Sequence, residues 1–173
     1  HVANVGGGIE LVGIGIGANI GITALIVFGY LPSESFSHEL VHWWAGDLLG
    51  VALVTPLILA FWQTKNEWVG AKRMAEAVLL LGLTFVAGQI IFLGWFQASL
   101  SQIAKGYLMF LFITWVAVRL GTRGTVIAVN MAAIQGLLGA YHGVGYFAND
   151  LAQTQLTNYW FYTLTLSLVG MAL

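Results

Sequence analysis

The chain has 173 residues, 59% of them hydrophobic and 8% charged, with a mean hydropathy of +0.86. Soluble domains carry about 25% charged residues, so a chain this apolar cannot clothe a soluble globule and reads as a membrane domain. Six basic and seven acidic residues leave a net charge of -1, which excludes a nucleic-acid surface; the absence of cysteine excludes disulfides, thiolate metal sites and cysteine nucleophiles.

Apolar runs of about 20 residues between polar breaks predict six helices, over 5–31, 37–62, 76–96, 103–120, 125–141 and 157–173. The expected fold class is all-α: a polytopic transmembrane bundle of six spanning helices, one integral-membrane domain over 1–173 with no soluble domain. The chain starts at His1, lacks a signal-peptide pattern, and is still apolar at Leu173. It is therefore read as a piece of a longer membrane protein.

The first helix is rich in glycine, which lowers its intrinsic propensity. Gly13, Gly17 and Gly21 nevertheless form a repeated GxxxG, a pattern that lets a neighbouring helix pack closely.

The second helix carries the most informative residue, Asp47, within His42-Trp43-Trp44-Ala45-Gly46-Asp47-Leu48-Leu49-Gly50. A carboxylate in a spanning helix costs about 2.5–3.5 kcal/mol on insertion scales, so it ordinarily faces a protein interior and has a partner. Residues four apart share a helical face, which sets Glu39, Trp43 and Asp47 in one stripe and His38 and His42 in the next. Asp47 lies roughly 10–15 Å below the near surface. It is protonated, or accepts hydrogen bonds, or is reached by water through a cavity. Polar residues at membrane depth that could meet it are Gln89, Asn130 and Gln135, with Lys105 and Arg119 near helix ends. Holding helices together and binding a ligand, ion or proton are equally open roles. Pro56, further along, frees a backbone carbonyl and permits a hinge.

The loops alternate in charge. Lys65, Lys72 and Arg73 follow helix two, and Arg119 and Arg123 lie between helices four and five; Glu34, Glu39 and Asp150 belong to the other side. Basic loops favour the cytoplasm, so Lys65 is expected inside, Glu34 outside, and Leu173 in the cytoplasm. Trp43, Trp44, Trp62, Trp68, Trp95 and Trp160 fall near helix ends, where aromatic belts anchor a bundle.

His38 and His42, with His142 on a separate helix, could approach a metal site, but an i, i+4 histidine pair without a third ligand is a weak pattern, and no metal is expected. No cofactor motif is evident. The chain has no GxSxG, HExxH, P-loop or kinase motif, so this fragment is not read as an enzyme.

Several of these residues carry a family resemblance. Trp43-Trp44-Ala45-Gly46-Asp47-Leu48-Leu49-Gly50 with Thr55-Pro56-Leu57, then Tyr107-Leu108 with Trp115-Val116-Ala117-Val118-Arg119-Leu120-Gly121-Thr122-Arg123-Gly124, then the glycine-rich turn from Gly139 to Phe147, resemble the membrane-associated sensor 1 domain. That resemblance implies an integral-membrane input domain of a bacterial signalling protein, ahead of a diguanylate cyclase, phosphodiesterase or histidine kinase module. It also implies that the parent protein is a signalling enzyme. The family's earlier helices, with Trp-Pro-Pro-Ser-Gly and Asn-Leu-Glu type motifs, are not found, so the chain is expected to be truncated at its amino end. Asp47, Arg119 and Pro56 carry over as motif positions.

The expectation is thus a sensor in the bacterial inner membrane, multi-pass, with a cytoplasmic carboxyl end. Its candidate ligand-binding or signal-sensing residues are Asp47, Trp43, Trp44, His42, Gln89, Arg119 and His142, with Pro56 as hinge. Its partners are the lipid bilayer, an unidentified small ligand, a cytoplasmic output domain after Leu173 in two-component or cyclic-di-GMP signalling, and a second copy in a homodimer. The alternatives are a proton- or cation-coupled transporter element and a purely structural anchor or dimerisation domain.

Overall fold

A computed structural model describes residues 3–62, 71–95 and 102–173, with the side chains of 3–12, 14 and 102–105 left aside. The expectations for Lys65, Trp68 and the end of the third helix at Phe96 lie outside the described residues. Those residues form helices α1 (Ala3–Val27), α2 (Phe36–Trp62), α3 (Ala71–Phe92), α4 (Gln102–His142), the short α5 (Asp150–Thr154) and α6 (Thr157–Ala172), with no strand among them. Among the described residues three segments are long and apolar enough to cross a membrane: Ser33–Trp62, Ala71–Phe92 and Gly106–His142.

The chain divides into two compact units, His1–Val51 and Ala52–Leu173, and the division falls within α2. In the first unit α1 forms despite its glycines, and it ends at Val27 rather than Leu31. Gly29 takes a positive φ of 77°, and the amides of Gly29 and Tyr30 donate back to Ile26 and Leu25. This pattern fills the last carbonyls of a helix and needs a left-handed residue just past its end. Of the expected GxxxG, Gly21 is packed, under the Trp43 ring, whereas a side chain at Gly13 or Gly17 would meet nothing.

The second unit holds the rest of α2 and everything after it. α3 begins at Ala71, a turn and a half earlier than the apolar run suggests, because Lys72 and Arg73 are exposed residues whose long stems suit an interfacial first turn. The fourth and fifth predicted helices are joined with no loop between them. Gly121, at φ 66° and ψ -164°, is the non-helical residue inside α4, a conformation that glycine alone adopts without strain. Gly170 of α6 lies against both Ile113 and Val129. A straight helix would set those two about 24 Å apart, so the chain turns back on itself at Gly121.

The direction of each helix follows from its hydrogen bonds. Arg123 donates to the Ala60 carbonyl and Asn130 to that of Leu53, so residues 122–142 run antiparallel to residues 52–62 of α2. Gln135 meets Phe85 in α3, and Tyr159 and Tyr162 of α6 reach Ala133 and Gly106. The result is an up-and-down array. At one end stand Glu76, Arg119, Gly121, Arg123 and the end of α6; at the other stand Phe92, Gly106, Phe147 and Asp150.

Between the ends the core is built from α3, both arms of α4 and α6, with Phe92, Ile91, Met109, Ile113, Val116, Val126, Val129 and Leu166 fully buried. Ala77, Ala87, Ala128, Ala132 and Ala133 are buried among them. Lipid is as apolar as leucine, so helices in it associate through close van der Waals fit and hydrogen bonds, and small residues allow the close approach.

Candidate functional site

In the first unit, Asp47 is exposed on α2 and its side chain takes part in no hydrogen bond or ion pair among the described residues. Gly46 and Gly50 beside it are also exposed, with open space where a side chain would stand. Trp43, on the same stripe, is 42% exposed and covers Gly21, while Trp44 is half-buried. The rings of His38 and His42 meet at a tilt of 55° with centres 4.5 Å apart, and His38 Nδ1 lies 3.5 Å from Glu39 Oε1. No group of three or more His, Asp or Glu side chains is gathered for a metal among the described residues.

In the second unit the two arginines of the Arg-Leu-Gly-Thr-Arg-Gly turn act on different helices. Arg119 pairs with Glu76 near the start of α3, with Nε 2.6 Å from Oε1. Arg123 Nε donates to the Ala60 carbonyl in the last turn of α2, 2.9 Å away, and its guanidinium lies 6.0 Å from the centre of the Phe61 ring. Cations are favourable at a helix C-terminus, where the last carbonyls lack donors. One tight turn therefore fastens the end of α2 and the beginning of α3. A cleft beside it is lined by Ala117, Gly121, Thr122, Thr125, Gly170, Met171 and Leu173, so the last residues of α6 rest on the same turn.

The other candidates are more dispersed. Gln89 is half-buried on α3, and its backbone carbonyl accepts the amides of Leu93 and Trp95. His142 is exposed at the end of α4, with its ring against Tyr141. Arg119, Gln89 and His142 are thus distributed along the length of the second unit. Pro56 lies in a stretch of α2 whose neighbouring carbonyls, Ala52 and Leu53, accept bonds from Ser167 and Asn130.

Three contributors were not singled out from the sequence. Glu76 is the partner of Arg119, and its place opposite a basic turn was the available signal. Ser167 sits in an apolar run, where a hydroxyl has to find an acceptor. Asp150 reads as a loop acid, yet it is buried and accepts from the Tyr159 amide, from Asn158 Nδ2 and from the Thr154 hydroxyl. Leu156, the residue at the N-cap of α6, has no side-chain acceptor; Asp150 supplies one from α5.

An all-helical, strongly apolar array with arginines fastening its helix ends defines a helical membrane domain. The chain belongs to the MASE1 family, the membrane-associated sensor 1 domains, whose family model matches residues 8–173. These are membrane sensory domains of signalling proteins. No curated protein and no solved structure matches the chain.

Proposed function

We propose that the chain is the input domain of a larger bacterial signalling protein in the inner membrane. A periplasmic or membrane-borne signal acts on the outer part of α2, around Asp47, Trp43, Trp44 and His42. The altered helix packing passes to α6 and then to a cytoplasmic output module after Leu173, one that turns over cyclic-di-GMP or is a histidine kinase. The observation that carries the reading is membership of the family over nearly the whole chain. The fastening of α2, α3 and α6 at one basic turn supports it, since basic loops favour the cytoplasmic side and that turn is where the chain reaches Leu173. Asp47 supports it too: a carboxylate expected at membrane depth, with no side-chain partner among the described residues, is retained at a cost, and a ligand with differential affinity for two packings would shift their balance.

The test is Asp47→Asn and Asp47→Ala in the parent protein, with output activity measured across stimulus conditions. Loss or locking of regulation, with folding intact, is expected. Fully regulated output in well-folded variants removes Asp47 from the mechanism.

A further inference from the structure

Pro56 has no amide hydrogen, so it cannot donate to Ala52, the carbonyl one helical turn behind it, and its ring crowds that same carbonyl. In hydrocarbon no water replaces the missing donor. The Ser167 hydroxyl of α6 donates to the Ala52 carbonyl at 3.2 Å. The adjacent Leu53 carbonyl accepts Asn130 Nδ2 of α4 at 3.1 Å, and the same amide group bonds Val126, one turn back on its own helix, at 2.8 Å. Ser167 is buried, at 3% exposure. The two donors come from two helices and converge on consecutive carbonyls beside the proline.

We infer that Ser167 and Asn130 form a latch on the proline break of α2, fixing the course of α2 there and tying α6 to it. α2 cannot swing away from α6 without leaving the Ala52 carbonyl bare in the membrane, so a change of bend in α2 carries α6 with it. Ser167 is a positioning residue: it acts on the chain's exit helix through the backbone of α2. The latch concerns helix geometry and stands apart from whether Asp47 reads a signal. Its failure and the failure of the sensory reading are told apart because distances, not output, report it.

The chain lacks cysteine, so spin labels can be placed on cysteines introduced at Ile58 and Leu168, 55% and 63% exposed, in the chain reconstituted in lipid nanodiscs. Ser167→Ala is expected to shift the ratio of the main α2–α6 distance to other distances by about fivefold, the effect of one ordinary hydrogen bond on a two-state balance. In a Pro56→Ala background the new amide serves Ala52, and the same Ser167→Ala change should move the ratio by less than about twofold. Should Pro56→Ala fail to fold, Ser167→Thr and Ser167→Val decide, because they share a shape and differ in the hydroxyl: threonine keeps the main distance and valine loses it. The latch is overturned if Ser167→Ala leaves the distances unchanged, if its effect is the same without Pro56, or if threonine and valine behave alike.

Discussion

The side chain of Gln135 lies across the face of Gly88, close enough that any side chain at 88 would collide with it. Gln135 Nε2 donates to the Phe85 carbonyl at 3.0 Å, one turn earlier on the same helix, while its Oε1 is buried with no hydrogen-bond partner among the described residues. Gly88 is therefore the slot through which a polar side chain from the second arm of α4 reaches the backbone of α3.

Gly88→Ala is accordingly expected to destabilise the second unit by about 1–3 kcal/mol, the usual cost of overpacking, measured by thermal or denaturant unfolding in detergent. Gly82→Ala on the same helix is the control, since a side chain there meets nothing; it should be neutral or stabilise by up to about 1 kcal/mol through helix propensity. Equal effects of the two would show that Gln135 does not occupy the slot.

The ion pair between Arg119 and Glu76 is half in water, with side chains 56% and 32% exposed. Its removal by Glu76→Gln should cost no more than about 1 kcal/mol, and less at high salt. Exchanging the charges, Glu76→Arg with Arg119→Glu, should recover most of the loss. Single and double variants of equal stability would mean that the pair contributes nothing.

Asp150 is a different case, because it is buried and its partners are held by it. Asp150→Ala leaves the Tyr159 amide without an acceptor in a buried place, and a loss of about 2–3 kcal/mol is expected. Unfolding should show it, and hydrogen exchange should rise first in the opening turn of α6. Unchanged exchange there would overturn the capping role.

In the first unit, Gly21→Ala drives a methyl group into the Trp43 ring, whereas Gly17→Ala meets open space. The first variant should raise the protease sensitivity of α1 several-fold, and the second should leave it as it is. The comparison separates a helix contact from a mere loss of glycine flexibility.

Much of the fold is legible in the sequence, since six apolar runs mark the helical segments and alternating loop charge matches the up-and-down order found in the second unit. The break near Gly121 is legible as a turn but not as a loopless one; that depends on one positive φ, which spacing does not reveal. Glycine pattern misleads in α1, where the three positions of one face look alike and only Gly21 lies under Trp43. The partners of Arg123, Asn130 and Ser167 were out of reach for a single reason. Periodicity tells which residues share a face of one helix, whereas the group opposite belongs to another helix and is often a backbone carbonyl, which every residue has.

α6 reaches three other helical segments at once, with Tyr159 on Ala133, Tyr162 on Gly106 and Ser167 on Ala52. It also follows α2, α3 and both arms of α4 in the chain, and so leaves the ribosome after them. Those earlier spans enter the membrane with the Ala52 carbonyl still waiting for its donor, so docking of α6 closes a backbone gap that α2 carries from the moment it is made.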